Sequence, residues 1–372
     1  MKTHSIVPAP SRREGLGSTR RLLRPGLTAL FFASVACLAA FAVARAAQAE
    51  PLAVCASTPD LGSLVREIGG DHVAVTVFVK GTEDPHFAEA KPSFVKLLNQ
   101  ADLYVQNGFD METGYAPVLL QQARNPKVMP GAPGFLDTSS AAGRALDMPS
   151  GPVDRSMGDV HPYGNPHYLL DPLRGLEAAR LIAAKLDELR PGEASYFDGR
   201  LKDFEGRLFA ELVGPPLAAK YGSDVPKLAL LFQSGKLDAF LTERGQRAEL
   251  GGWLASMLPH VGAKTVDDHP IWTYFASTFG LVVVAHLEPL PGVPPTTRHL
   301  EDVISEMRTD GVKIVLASAY YDPRYAKLVG ESTGATVLHM ANQVEAVPAA
   351  STYLAMISYN VAQVAGALGG GH

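Results

Sequence analysis

Short apolar runs alternate with stretches of helical periodicity in the first third of the chain. The apolar runs that predict strands lie at residues 52–57, 73–79, 102–106 and, more briefly, 127–129. The stretches that predict helices between them lie at residues 61–68 and 94–100. Strands that alternate with helices predict a parallel sheet with helices on both faces.

The same alternation returns after the Pro215-Pro216 pair. Here the predicted strands lie at residues 227–232, 281–285, 312–317 and 335–339. The predicted helices lie at residues 250–258, 299–307, 326–333 and 353–368. This repetition indicates a second α/β lobe of the same kind as the first.

The longest helical pattern lies between these two parts of the chain. Asp171 suits a helix N-cap and Pro172 the first helical position, and apolar residues then recur at steps of three and four as far as Leu189. A second amphipathic run covers residues 196–212. We therefore predict an α/β protein of two lobes, residues 50–170 and 214–372, which a linker helix region at 171–213 joins.

The first 49 residues have the pattern of a secretory signal peptide. Five arginines precede an apolar run at residues 27–43, and Ala47 and Ala49 fit a small-x-small cleavage site before Glu50. A membrane anchor is the alternative, but the run is short for a bilayer span and Arg45 interrupts its end. An Arg20-Arg21 twin-arginine route and lipidation of Cys37 are weaker alternatives. We expect cleavage and export to the periplasm.

Removal of this segment changes the charge balance. The whole chain has 33 basic and 38 acidic residues. The segment holds seven basic residues and one acidic residue, so 26 basic and 37 acidic residues remain, a net charge of −11. This acidity argues against a partner that is nucleic acid or an anionic membrane. Only Cys55 remains after cleavage, which excludes an internal disulfide. We expect the mature chain not to be membrane-inserted.

Three histidines lie in similar loop contexts beside proline and an Asp or Asn. They occur in Asp84-Pro85-His86, Asn165-Pro166-His167 and Asp268-His269-Pro270. Proline restricts the backbone, which suits a ligand that must be held in place, and ligands of open α/β sheets bind beyond the strand ends. Three imidazoles with one carboxylate would suit zinc, whereas manganese prefers more oxygen donors.

Four ordered blocks of the sequence resemble the zinc/manganese substrate-binding family of ABC importers. The first is Gly81-x-x-Asp84-Pro85-His86-x-x-Glu89, and the others lie at residues 165–172, at 269–275 with 288–292, and at 320–324. The resemblance covers essentially the whole chain after the leader. It implies two Rossmann-like lobes, each a mainly parallel sheet flanked by helices, a long rigid linker helix, and one metal in the cleft.

The resemblance also implies a ligand set. His86 and His167 would come from the first lobe and His269 from the second, and a histidine at this third position indicates Zn²⁺ over Mn²⁺ or Fe²⁺. Asp322 is the predicted fourth ligand. Tyr321, Glu288 and water are the alternatives, because Asp322-Pro323 is also a good helix N-cap pair.

The loop at residues 139–165 carries polar side chains that could form an auxiliary metal site. These are His161, Asp147, Asp154 and Asp159. We expect a monomeric, non-enzymatic protein that delivers zinc to an ABC permease, with a periplasmic metallochaperone as a further candidate partner. A zinc hydrolase with a three-histidine site is the main alternative, and a surface adhesin on the same fold is a third.

Overall fold

The computed structural model describes residues 50–153, 160–288, 290 and 292–370, with six scattered residues before position 11. The predicted signal peptide therefore lies almost wholly outside the described residues, as do Asp154 and Asp159. The chain divides into two compact units, Met1–Glu50 and Pro51–His372. Everything below concerns the second unit.

The first lobe is built on a four-stranded parallel sheet. In chain order it contains β1 (Leu52–Ala56), α1 (Pro59–Gly69), β2 (Val73–Val77), α2 (Pro92–Gln100), β3 (Leu103–Gln106), α3 (Ala116–Ala123) and β4 (Phe135–Asp137). The strand order is β2-β1-β3-β4. Three predicted strands are confirmed, but the fourth is wrong: residues 126–128 form a 3-10 turn, and the edge strand β4 follows it.

Two long helices lead from the first lobe to the second. They are α4 (Pro172–Leu189) and α5 (Ala194–Val213), which pack against each other. The Asp171 carboxylate accepts a hydrogen bond from the Leu173 amide at 2.9 Å and so caps α4, as its position before Pro172 predicts. Three shorter helices follow, α6 (Pro215–Tyr221), α7 (Val225–Gln233) and α8 (Leu237–Glu243).

The prediction of a strand at residues 227–232 is wrong, because this segment belongs to α7. The buried side chains of α7 are Val225, Leu228, Ala229 and Phe232, which share one helical face. Leu230 lies on the opposite face and is 62% exposed. A short apolar run fits a strand and a helix equally well, and here packing on one face selects the helix.

The second lobe repeats the architecture of the first. It contains α9 (Gly252–Met257), β5 (Lys264–Asp267), α10 (Thr273–Phe279), β6 (Val282–His286), α11 (Thr297–Asp310), β7 (Ile314–Ser318), α12 (Pro323–Thr333), β8 (Thr336–Met340) and α13 (Tyr353–Leu368). The strands are parallel in the order β6-β5-β7-β8. The sequence pattern predicts three of them and misses the central strand β5.

One apolar core extends through both lobes and the helices between them. Its buried members include Leu61 from α1, Ile182 from α4, Phe275 from α10 and Ile357 from α13. Two smaller cores lie in the individual lobes, one around Tyr104 and Leu119, the other around Val315 and Val329. Each sheet is thus covered on both faces, as parallel sheets require. No helix in the described part of the chain is long and apolar enough to cross a bilayer.

Hydrogen bonds also connect the lobes close to the strand ends. The Val344 amide donates to the Asp60 carboxylate at 2.8 Å, and Gln343 Nε2 donates to the Glu83 carbonyl at 2.7 Å. Gly81 lies so close to the backbone of Val344 that a Cβ at this position would be 2.3 Å from the Val344 oxygen. The loop that leads to His86 is therefore held by the second lobe.

Candidate metal centre

His86 is fixed by its own local sequence. Pro85 starts a 3-10 turn, Pro85–Phe87, and the Asp84 carboxylate caps it by accepting from the His86 amide at 2.9 Å. The same carboxylate lies 2.7 Å from His86 Nδ1. Burial alone would raise the pKa of Asp84, but the hydrogen bond and the charge of His86 outweigh it and lower that pKa. An ionised Asp84 accepts a hydrogen bond from the N–H at Nδ1, which leaves the lone pair of His86 on Nε2, at the far side of the ring.

His167 is held by contacts from both lobes. Its amide donates to the Asn165 side chain at 2.9 Å, which forms a turn that begins at Asn165. The Tyr274 hydroxyl from α10 donates to the Asn165 carbonyl at 3.0 Å, and Asn107 Nδ2 donates to the Pro166 carbonyl at 2.9 Å. His167 Nε2 is buried and has no hydrogen-bond partner among the described residues.

His269 lies two residues after the end of β5, one of the two inner strands of the second sheet. The preceding residue, Asp268, is buried and accepts from the Ser318 amide, which fixes the loop after β5 against the end of β7. His269 is only 3% exposed, and its Nδ1 lies 3.5 Å from Glu288 Oε2, too far for a good hydrogen bond. The Tyr321 ring packs against it with centroids 5.5 Å apart.

These three imidazoles converge from separate loops. The ring centroids of His86 and His167 are 5.4 Å apart, and those of His167 and His269 are 6.0 Å apart. Within the described ranges, no three His, Cys, Asp or Glu side chains already have an arrangement that could hold a metal ion. A single ion would therefore require the rings to turn or move inward.

A fourth histidine, His161, joins this group. Its Nε2 lies 3.1 Å from His86 Nε2, and the two ring centroids are 5.0 Å apart. The sequence suggests His161 only for an auxiliary site in the loop, with Asp147, Asp154 and Asp159. Asp147 instead accepts from Asn165 Nδ2 at 2.8 Å. The sequence signal for His161 is its closeness to the Asn-Pro-His block at 165–167, since it precedes His167 by six positions.

The described contacts of Asp322 are with Arg324 rather than with these histidines. Its carboxylate caps α12 by accepting from the Arg324 amide at 3.0 Å, and it pairs with the Arg324 guanidinium at 2.8 Å. The side chain is 35% exposed. The N-cap role of an Asp-Pro pair therefore accounts for Asp322. Glu288, one of the alternatives, lies 3.5 Å from His269 Nδ1.

Burial governs the protonation of the cluster. Desolvation, followed by the charges of His86 and His269, lowers the pKa of His161 to about 3. The same causes in the same order lower the pKa of His167 well below its ordinary value. Both rings are neutral near pH 7, and the neutral imidazole is the form that coordinates a metal.

Comparison with known proteins gives a match along most of the chain. The model of the ZnuA family, described as zinc-uptake complex component A, periplasmic, matches residues 54–210 and 246–367. The manganese ABC transporter substrate-binding lipoprotein PsaA of Streptococcus anginosus is 22% identical over 345 residues, which cover 91% of this chain and 97% of that protein. The high-affinity zinc uptake system protein ZnuA of Yersinia pestis is 23% identical over 292 residues, 76% of this chain and 80% of that protein.

The fold is similar to that of solved structures. A ZnuA deletion mutant with zinc bound superposes with a TM-score of 0.59 at 22% identity, covering 84% of this chain and 96% of that chain. The matched family comprises substrate-binding proteins rather than enzymes, so we set aside the hydrolase alternative. The family model matches well over half of the residues of this chain. The chain therefore belongs to the ZnuA family of substrate-binding proteins of metal ABC importers.

Proposed function

We propose that this protein captures one zinc ion in the periplasm through His86, His167 and His269 and delivers it to the permease of an ABC importer. The supporting observation is the convergence of imidazoles from both lobes with buried nitrogens that lack partners among the described residues, namely His167 Nε2 and His269 Nδ1. Buried polar atoms are nearly always hydrogen-bonded, so such atoms in a cluster are best explained by a cation that takes their lone pairs.

The donor set favours zinc over manganese. Imidazole suits zinc, whereas manganese sites rely on carboxylate and water oxygens. The carboxylate beside His86 serves that histidine, because Asp84 lies 2.7 Å from its Nδ1. In this proposal Asp84 orients the ring from outside the coordination shell, as carboxylates commonly do beside zinc-bound histidines.

The position of the proposed ligands supports a role in delivery. Because His86 and His167 come from the first lobe and His269 from the second, a bound ion links the two lobes and changes the surface that a permease would contact. We propose that the protein acts as a monomer and that the permease, alone or with a metallochaperone that loads the site, is its partner.

Metal analysis tests the capture step. Purified protein is stripped with a chelator and reloaded from an equimolar mixture of zinc and manganese; we expect about one zinc per chain. A His86→Ala/His167→Ala double variant should lose it, while a His260→Ala/His339→Ala double variant, which alters histidines outside the cluster, should retain it. Unchanged zinc in the first variant would discard the site, and manganese in the wild type would reject zinc as the cargo.

A genetic experiment tests delivery. A strain that lacks the gene should require more external zinc for growth, and the wild-type gene should restore growth while the His86→Ala/His167→Ala gene should not. Normal growth of the deletion strain on limiting zinc, with no other zinc importer in its genome, would contradict the delivery role.

A further inference from the structure

We propose that His161 binds the same ion as His86, His167 and His269, so that the cleft offers four imidazole nitrogens. This inference rests on the proposed capture of zinc at this site. In this proposal His161 is a ligand of the principal site rather than of an auxiliary site in the loop. It also assigns the cargo to ions that prefer nitrogen donors.

The distance between the two facing nitrogens supports this role. His86 Nε2 and His161 Nε2 lie 3.1 Å apart. In a tetrahedral zinc site with Zn–N bonds of about 2.0–2.1 Å, two ligand nitrogens are about 3.3 Å apart. This pair is therefore already within a few tenths of an ångström of one edge of a coordination tetrahedron, while the rings of His167 and His269 would have to move inward to complete it.

The hydrogen bonds around the two rings point the same way. A neutral imidazole has one N–H. His86 uses it at Nδ1 towards Asp84, 2.7 Å away, and His161 is hydrogen-bonded to the Phe109 backbone. The two rings thus turn their Nε2 atoms towards one point, as two ligands of a single ion would.

The position of His161 is fixed by described residues on its C-terminal side. The Gly164 amide donates to the His161 carbonyl at 3.2 Å, and the Asn165 amide donates to the Leu146 carbonyl at 2.9 Å. Gly164 has φ +99°, and a Cβ there would lie 2.9 Å from the Leu146 oxygen. The turn therefore requires glycine at this position, and it sets His161 and His167 on one anchored segment that ends at α4.

Four nitrogen ligands would favour zinc over manganese. Without an oxygen donor from the protein, the site loses the ligands that manganese prefers, whereas zinc accepts four nitrogens in tetrahedral geometry. With His161 removed, the fourth position falls to water or to Glu288, and discrimination against manganese should decrease.

X-ray absorption spectroscopy of the zinc-loaded wild type tests this inference without any substitution. We expect scattering from four imidazoles around one zinc. A His161→Ala variant should keep one zinc, show three imidazoles with one oxygen donor, and bind zinc at least about tenfold more weakly in chelator competition. His339→Ala, at an exposed position in β8, is the matched control and should behave as wild type.

The outcomes separate the two proposals. Three imidazoles in the wild type, with zinc affinity in His161→Ala within about twofold of it, would overturn the role of His161 and leave the three-histidine site in place. A wild type that holds no zinc after reloading would overturn the proposed function itself, and this inference with it.

Discussion

Gly81 contacts the second lobe so closely that the single methyl group added in Gly81→Ala should weaken both the fold and zinc binding. In Gly81→Ala the new Cβ would start 2.3 Å from the Val344 oxygen and from the Glu345 carbonyl carbon, whereas real Cβ contacts essentially never fall below 3.0 Å. The two backbones must therefore separate by about 0.7 Å. No side-chain rotation can relieve this clash, because the neighbouring atoms belong to the main chain.

The magnitude follows from the bonds that bridge the lobes at this point. A shift of that size would stretch the hydrogen bond from Gln343 Nε2 to Glu83 from 2.7 Å, and that from the Val344 amide to Asp60 from 2.8 Å, to or beyond the limit of useful geometry. With a loss of about 1–2 kcal/mol for each of these bonds, the free energy of unfolding should fall by about 2–4 kcal/mol. Metal–ligand distances tolerate only about 0.2 Å, so zinc binding by His86, five residues later, should weaken at least about tenfold.

Urea unfolding in the presence of a chelator measures the change in the free energy of unfolding. Competition with a chelator for zinc measures the change in zinc affinity. Gly199→Ala is the matched control, since nothing lies within 4 Å of its Cβ in α5. Alanine in a helix interior should raise the free energy of unfolding by about 1 kcal/mol, so the two Gly→Ala variants should shift in opposite directions. A Gly81→Ala protein with the urea midpoint and zinc affinity of wild type would refute the reasoning.

Three further predictions concern single side chains. Asp322→Asn should leave zinc affinity within twofold of wild type in chelator competition, because Asp322 serves a helix cap; a tenfold loss would restore it as a ligand. Tyr353→Phe should lower the free energy of unfolding in urea by about 1–2 kcal/mol, since the buried hydroxyl donates to the Leu169 carbonyl at 2.6 Å, and an unchanged midpoint would contradict this. Burial raises the pKa of Asp60 from 3.8 to about 7, so the folded chain binds more protons than the unfolded chain between these values. The free energy of unfolding should therefore decrease as pH rises from about 4 to 7, by at most about 4 kcal/mol. In Asp60→Asn this part of the pH dependence should vanish, and an identical pH profile would exclude Asp60 as its source.

The sequence predicts the fold where a pattern repeats and fails where a segment is short. Strands β1, β3 and β7 are mainly buried, so their apolar runs are distinctive. The edge strand β2 is less buried, but its five residues are almost all β-branched. In contrast, β4 has only three residues, Phe135–Asp137, and its single strongly buried side chain carries no periodicity. The strand β5 begins with an exposed lysine and contains a threonine, which hides its central place in the sheet.

The site shows the same division between local and distant information. His86, His167 and His269 stand out because Pro and Asp or Asn beside them are local signals. The contact of His161 with His86 spans 75 positions, within a loop that has no repeating pattern, and only the folded chain brings the two rings together. For Asp322 the local signal supports two roles, a cap and a ligand, and the contact with Arg324 supports the first.

The continuous core limits how this protein can respond to a metal. Leu61 and Ile357, from different lobes, belong to one apolar cluster together with Ile182 of the connecting helix, so a wide separation of the lobes would expose buried side chains at about 25 cal/mol per Å². The bonds from Gln343 and Val344 oppose the same movement. The imidazoles, however, already lie with their ring centroids 5.4 Å and 6.0 Å apart, so small movements of their loops can bring them to one ion. We therefore expect metal binding to rearrange the loops that carry His86, His161 and His269 around a nearly fixed pair of sheets, and the permease to recognise that local change.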